Sequence, residues 1–395
     1  MRVLALGGAG EYGKPAARIL ASSNLVSEIV IAGRNLEAAQ SCAQDIGEKA
    51  KGVSIDLSNR DKLVALARDC DIVLNITGPE WETVLKVLEA SIAAGTNYCD
   101  ICADGPTTEA ALELDSAAKA KGVTALLGIG AFPGVGSLLM VHAAHQLDQV
   151  RQVRSCGFFP AAAFGVTKDA VRAFRERGHL SAGWQMFMKW GSPPFHAYRD
   201  GALVSISNRT EETKTMMPGN GEIPAVLVGC PEVVTIPRSI PEVKDVYTLV
   251  SWFPFQLNGI YGELGGRIAK SELNESQAAL AFLDLIAAEQ DQWPPVPDGF
   301  SKYGMRWAEA VGIKHGNRTR YSCWPTSNWY GWRNNPTPVA LALAALKILR
   351  GEITTRGVLT PESCLDPLPF IKEVACQMLK TDEPGNLLNE AWETL

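Results

Sequence analysis

The stretch "LALGGAGEYGKPAARIL", Leu4 to Leu20, constrains this chain more than any other. A short apolar run enters a cluster of glycines, and helix-forming residues follow at once. That order describes a strand turning sharply into a helix whose N-terminus is open to an anion. Two phosphate-binding loops fit the letters. Gly8, Gly10 and Gly13 match G-x-G-x-x-G, the pattern of dinucleotide-binding units, while Gly8 to Lys14 match G-x-x-x-x-G-K, most of a nucleoside-triphosphate loop. The next residue separates them. A triphosphate loop needs a Ser or Thr hydroxyl there to hold magnesium, and Pro15 has none. Proline suits the first turn of a helix, so the helix stands and the metal site does not; no metal is expected.

In the dinucleotide reading Gly8 permits the tight turn, Gly10 lets the backbone approach the pyrophosphate, and Gly13 lets the helix pack on the strand. Glu11 and Tyr12 complete the loop as cofactor contacts. The surroundings agree with this. Apolar runs at Arg2 to Leu6, Glu28 to Ala32, Gly52 to Ile55, Asp71 to Asn75, Thr96 to Asp100 and Val123 to Leu127 alternate with helical spacing, notably Lys14 to Ser22, Asp61 to Arg68, Thr83 to Ala94 and Thr108 to Lys121. Strict alternation calls for a parallel sheet covered on both faces.

After "GIGAFPGVGS" the texture changes. Prolines and aromatics become frequent, and eight of the ten tryptophans lie between Trp184 and Trp332. Alternating runs such as Val246 to Trp252, and a hairpin turning at His315-Gly316-Asn317, predict a mostly antiparallel sheet. Helices are expected at Asp169 to Arg177 and Ser276 to Glu289. From Thr337 an apolar helix ends in basic residues and Gly351. The expected class is therefore α/β, a Rossmann-type doubly wound parallel sheet plus an inserted α+β domain with a mostly antiparallel sheet. The expected boundaries are 1–132, 133–336 and 337–395, the last segment packing back on the nucleotide domain.

Composition limits the function. A chain of 395 residues with 46% apolar content has material for two cores, and a net charge of −6 argues against phosphate-dominated nucleic-acid binding. No apolar run reaches the length of a membrane span, and residues 1–6 are too short an apolar start for a secretory signal. Nine scattered cysteines read as reduced thiols. A soluble cytoplasmic protein with a small-molecule partner is expected, without nucleic acid or membrane.

Residues at the strand ends choose the cofactor. An NAD enzyme usually ends its second strand in Asp or Glu to bind the ribose 2'-hydroxyl, whereas "IVIAGRN" places Arg34 and Asn35 there. An arginine can grip a 2'-phosphate that a carboxylate would repel, so NADP(H) is expected over NAD(H). Asp56 and Leu57 after the third strand fall near the adenine, and Asn75, Thr77 and Gly78 after the fourth fall near the nicotinamide. Asp, Asn and Gly also favour turns for local reasons, but here they recur at successive carboxyl ends.

Other signals carry less. Cys99 and Cys102 form C-x-x-C with no second pair for zinc, and read as small buried residues. His142 and His145 lack a third ligand. Arg318 and Arg320 fall on one face of a strand and are candidates for a substrate carboxylate, with a solvated hairpin tip as the alternative.

The series "LGGAGEYGKPAARIL", "AGRNLEAAQ", "DLSNRDKLVALARDCDIVLNITGP", "AAGTNYCDI", "GAFPGVGS" and "GVLTPESCLDP" resembles, in order and over nearly the whole chain, the saccharopine dehydrogenase-like family. The resemblance implies NAD(P)-dependent chemistry at a carbon–nitrogen bond, imine reduction or amine oxidation, with the α+β domain forming the substrate cleft and a homodimer surface. Tyr98 and Asp100 match the family's Y-x-D, and Asp100 is expected to stabilise a substrate cation. Phe132 stands in the substrate region where some members carry an aspartate before Pro-Gly. A phenyl ring cannot pair with an ammonium, which argues against saccharopine itself. Short-chain dehydrogenase chemistry needs Tyr-x-x-x-Lys, and none of the eight tyrosines has lysine four residues on. The remaining alternatives are an NADP-binding redox sensor without turnover and a reductase of C=O or C=C bonds.

Overall fold

The computed structural model describes residues 1–177, 180–207, 212–302, 304–327, 329–331 and 334–395. The chain begins β1 (Arg2–Leu6), α1 (Gly13–Ser22), β2 (Glu28–Gly33), α2 (Leu36–Ile46), β3 (Ala50–Ser54), α3 (Arg60–Arg68) and β4 (Ile72–Asn75). It continues α4 (Glu80–Ala94), β5 (Asn97–Asp100), α5 (Gly105–Leu112), α6 (Asp115–Ala120), β6 (Thr124–Leu126) and α7 (Val135–His145). Then come β7 (Gln149–Pro160), α8 (Lys168–Arg177), α9 (Ala182–Trp190), β8 (Phe195–Arg199), β9 (Ala202–Ile206), β10 (Glu212–Met217) and β11 (Gly221–Leu227). Next are α10 (Glu232–Ser239), β12 (Asp245–Phe253), α11 (Leu257–Ala269), α12 (Glu275–Glu289), β13 (Met305–Lys314) and β14 (Asn317–Pro325). The last elements are α13 (Thr337–Leu349), β15 (Gly357–Leu359), α14 (Pro361–Cys364), α15 (Pro367–Leu379) and β16 (Leu388–Thr394).

Two compact units share these elements: residues 1–138 with 335–384, and residues 139–334 with 385–395. The first carries a parallel sheet of seven strands in the order β15-β6-β5-β4-β1-β2-β3. Its inner strands are largely buried, as a sheet covered on both faces requires, while the edge strand β3 has no fully buried residue. The order reverses between β1 and β4, which is the topological switch point of a doubly wound sheet. The seventh strand is supplied by "GVL" from the C-terminal segment, and α13 packs on α1, β4 and β5. The expected helix over Thr108 to Lys121 is two helices separated by Glu113 and Leu114.

The second unit is built on a nine-stranded sheet whose main path is β10-β11-β12-β7-β13-β14-β16, with the β8–β9 hairpin attached to β12. The pairing of β12 with β7 is parallel and the others are antiparallel. The predicted hairpin closes on a two-residue turn, His315-Gly316, both with positive φ, as a primed turn needs. Alternation along β7 and β12 divides two cores. Cys156, Phe158 and Leu249 join one with Trp307, while Phe159 and Trp252 face the other, where Trp252 packs edge-on against Phe282 at 4.9 Å. Trp252, Trp307 and Trp329 are fully buried, so these tryptophans are core; Trp332 lies outside the described residues.

The expected C-terminal segment 337–395 is divided. Its final strand β16 pairs with β14 in the second sheet from Thr319↔Thr394 to Pro325↔Leu388. "LNEAWET" has no strict alternation of polar and apolar residues and only Leu388 is buried, so its place on the sheet edge rests on pairing with β14 and not on a pattern of its own.

Candidate nucleotide and active site

The loop between β1 and α1 is shaped by two glycines. Gly7 has φ +76, and a Cβ there would stand 2.6 Å from the Ile76 carbonyl oxygen, so the loops after β1 and β4 touch through it. The positive φ lies at Gly7, and at Gly8, the glycine expected to permit the tight turn, a Cβ would stand 2.9 Å from the Ala5 carbonyl oxygen. A Cβ on Gly13 would meet the Gly7 carbonyl oxygen at 2.3 Å, which is the close packing the fingerprint's third glycine serves. Among the described residues the amides of Ala9, Glu11 and Tyr12 find no protein acceptor, and they stand where the dipole of α1 is positive. Gly10 is exposed beside them. This cradle fits a pyrophosphate. Lys14, which a triphosphate loop would aim at the phosphates, is instead ion-paired with Asp45 of α2.

Arg34 ends β2 as an exposed side chain, with Asp56 close enough for its charge to help hold that carboxyl below its usual value; the larger cause is Asp56's own hydrogen bond from the Ser58 amide at 2.9 Å. Asn35 caps α2, its Oδ1 accepting from the Ala38 amide. Leu57 is half-buried next to Asp56. These residues stand together at the carboxyl ends of β2 and β3.

A buried chain of hydrogen bonds crosses the ends of β4 and β5. Thr77 donates through both its amide and its hydroxyl to Asn75 Oδ1, Asn75 Nδ2 donates to the Tyr98 hydroxyl at 3.1 Å, and Tyr98 donates to Asp100 Oδ2 at 2.8 Å. Asp100 Oδ1 accepts from the amides of Cys102 and Gly128 at 2.9 and 2.6 Å. Burial pushes the Asp100 carboxyl up to about 6 against those donors, and pushes Tyr98 well above its usual value. Tyr98 and Asp100 have no exposed surface at all. Sequence reading expects Asp100 to stabilise a substrate cation, but a carboxyl so enclosed has no open face for one; it pins the ends of β5 and β6, and Tyr98 links it to the β4 loop. Gly78 is exposed at the head of that loop.

The expected substrate residues fare differently. Phe132 is buried, its ring lying where a Cβ on Gly136 would meet it at 2.5 Å, so it packs on the first turn of α7. Arg318 is exposed on β14. Arg320 shares its face, as expected, but is committed to Glu309 at 3.2 Å and to Glu393 of β16. Its charge is already neutralised, so it is not a free grip for a substrate carboxylate. Cys99 and Cys102 are free and buried. Among the described residues no cluster of His, Cys, Asp or Glu suits a metal ion, and no helix is long and apolar enough to cross a membrane.

Two residues at the switch point escaped sequence reasoning. Glu80, the first residue of α4, accepts from the Ala103 amide at 2.8 Å, and burial near Asp100 and Asp104 pushes its carboxyl up to about 8. Asn335, from the returning segment, donates to the Tyr12 hydroxyl at 3.3 Å. Only the adjacency of Glu80 to the "NITGP" strand end hinted at it.

A glycine cradle at the switch point of a doubly wound sheet, in a chain that also carries a second unit on a mixed sheet, defines a dinucleotide-binding protein of two domains. Residues 3–126 match the saccharopine dehydrogenase NADP binding domain. The whole chain shares its fold with apo saccharopine dehydrogenase (L-Glu forming) from Saccharomyces cerevisiae, with a TM-score of 0.63, 16% identity and 100% of both chains covered. The first domain thus carries the match to the saccharopine dehydrogenase NADP binding domain, and the chain as a whole shares the fold of saccharopine dehydrogenase. It is also 26% identical over 174 residues to carboxynorspermidine synthase from Vibrio alginolyticus, covering 38% of this chain and 41% of that protein. A 129-residue stretch is 34% identical to phosphoribosylamine–glycine ligase from Xanthomonas campestris, 33% of this chain and 27% of the ligase. The chain thus spans less than half the length of these curated relatives.

Proposed function

We propose that this protein is an NADP(H)-dependent oxidoreductase acting on a carbon–nitrogen bond, as a reductase of imines or, in the reverse sense, a dehydrogenase of amines or amino acids. The observation that carries the reading is the empty-handed end of β2: it offers Arg34 and no carboxylate, above a loop with three unbonded amides. The amides of Ala9, Glu11 and Tyr12 would hold the pyrophosphate and Arg34 the 2'-phosphate, with Asp56 and Leu57 toward the adenine and Thr77 and Gly78 toward the nicotinamide. The bound nucleotide supplies or accepts hydride. The chain's own part is to orient it, and the Asn75–Tyr98–Asp100 bonds hold the strand ends in register for that. The choice of C–N chemistry is supported by the match of residues 3–126 to the saccharopine dehydrogenase NADP binding domain and by the missing Tyr-x-x-x-Lys. A homodimer and a cytoplasmic location belong to the same reading, the former checked by light scattering.

The test is nucleotide fluorescence titration followed by turnover. NADPH binds tighter than NADH, and Arg34→Asp removes a preference of roughly ten- to a hundredfold, the worth of one charge-assisted bond. Equal affinities in the wild type refute the cofactor choice. Oxidation of NADPH with amine–carbonyl pairs, but not with isolated ketones or activated C=C bonds, supports the reaction class. Binding without turnover of any of these would mark a sensor.

A further inference from the structure

The carboxyl ends of β4 and β5 carry a carboxyl that the nucleotide cradle does not use. Glu80 opens α4 directly after the β4 loop, and one of its oxygens accepts from the Ala103 amide at 2.8 Å. Its other oxygen has no hydrogen bond among the described residues. Glu80 as a whole is half-buried. The groups facing it are acidic or neutral. Asp100 stands at the end of β5, Cys102 and Asp104 lie in the loop before α5, and Tyr12 comes from the glycine loop. Tyr12 also feels Glu11. No cation is among the groups that act on Glu80.

Glu80 opens α4, where the helix dipole suits a carboxylate, but no cationic side chain accompanies it. Here a carboxyl is set among acids, at the strand ends where an open α/β sheet receives the reactive half of its ligand. We propose that Glu80 is the proton-exchanging acid of the site, protonated in the resting protein and ionised once a positively charged, oxidised nicotinamide lies beside it. The inference rests on the functional reading above. In the reductive direction Glu80 gives its proton to the nitrogen of a neutral imine while the imine carbon takes hydride from the reduced nicotinamide. The C=N π bond is lost, C–H and N–H bonds form, and the products are the amine, the oxidised nucleotide and the Glu80 carboxylate. In amine oxidation the same carboxylate takes the proton back. The raised affinity for that proton, about 8 on burial among Asp100 and Asp104, suits an acid that works near neutral pH.

The experiment compares wild type with Glu80→Gln, whose amide oxygen can still accept from Ala103. Calorimetry in two buffers of different ionisation heat, at about pH 7.5, reads protons directly. Wild type is expected to release a large fraction of a proton on binding NADP+ and almost none on binding NADPH, since an adjacent positive charge favours the carboxylate. In Glu80→Gln the release disappears and NADPH affinity stays within about threefold, while imine reduction falls by roughly a hundredfold or more and loses its alkaline limb. Unchanged proton release in the variant overturns the role of Glu80 and leaves the NADP reading standing. Failure of the wild type to bind either nucleotide overturns both. If the variant does not fold, carbon NMR of labelled glutamate in the wild type decides. A titration near 8 that drops on adding NADP+ supports the proposal, and a titration in the ordinary glutamate range refutes it.

Discussion

At Gly13 a methyl group would stand 2.3 Å from a carbonyl oxygen that cannot retreat, because Gly7 is itself wedged against Ile76. Gly13→Ala should therefore cost about 1 to 3 kcal/mol of stability through overpacking, seen in urea unfolding, and should weaken NADPH binding as the loop shifts. Asp100 works by a different cause. It accepts three hydrogen bonds without reaching solvent, and Asp100→Asn leaves the Tyr98 hydroxyl proton without its acceptor, at roughly 1 to 3 kcal/mol. The loss should appear in stability with NADPH affinity little changed. Both Asp100 and Glu80 hold protons more tightly when folded, with values raised to about 6 and about 8. The native state then binds more protons than the unfolded chain, so their contribution is full below the ordinary carboxyl range and is lost as pH rises through those values. Urea midpoints measured from about pH 5 to 8.5 should fall more steeply for wild type than for Glu80→Gln. Parallel curves would show that Glu80 ionises normally.

The elements differ in how plainly the sequence announces them. Strands β1, β2, β4 and β6 are short apolar runs separated by helical periods, β3 (AKGVS) and β5 (NYCD) are announced more weakly, and each of the six lies within a residue or two of its expected place. The three residues of β15 are too short to show a period, and only their pairing with Thr124–Leu126 makes them a strand. In β16 the signal is contact and not pattern. Tyr321 donates to Glu390 at 2.7 Å, packs on Trp392 and meets His142, while Trp329 Nε1 donates to the Leu387 carbonyl at 2.9 Å. The same long-range pairing explains Arg320, whose partner Glu393 lies far along the chain and could not be read from the hairpin. Glu80 was hidden for the opposite reason: acidic residues at helix starts are common for dipole reasons alone, and its acidic neighbours come from other strand ends. Deleting residues 386–395 should uncover the β14 edge and the Tyr321 ring. We expect lower solubility and aggregation by light scattering, with NADPH binding per folded molecule retained, because no residue of the nucleotide cradle lies in β16.

In the whole molecule the nucleotide-binding unit is discontinuous, needing residues 335–384 as well as 1–138. Those later residues supply the edge strand β15, the helix α13 on α1, β4 and β5, and the Thr337 hydroxyl that accepts from the Ala131 amide at 3.0 Å. A fragment ending at residue 138 would leave the apolar face of the sheet beneath α13 bare, and it should fail to fold alone. Co-expression with residues 335–384 should restore soluble protein that binds NADPH. Two units with separate cores also predict that calorimetric unfolding of the intact chain departs from a single two-state transition. The nucleotide should raise only the transition of the unit that holds it. At a hundredfold excess over the dissociation constant the stabilisation is about 2.7 kcal/mol, or roughly 5 to 10 °C for a unit of this size. NADPH should produce that shift and ATP with magnesium should not, since Lys14 is turned to Asp45 and Pro15 replaces the metal-binding hydroxyl. A shift of both transitions together by NADPH would mean that the units unfold as one; a shift by magnesium–ATP would restore the triphosphate reading of the loop.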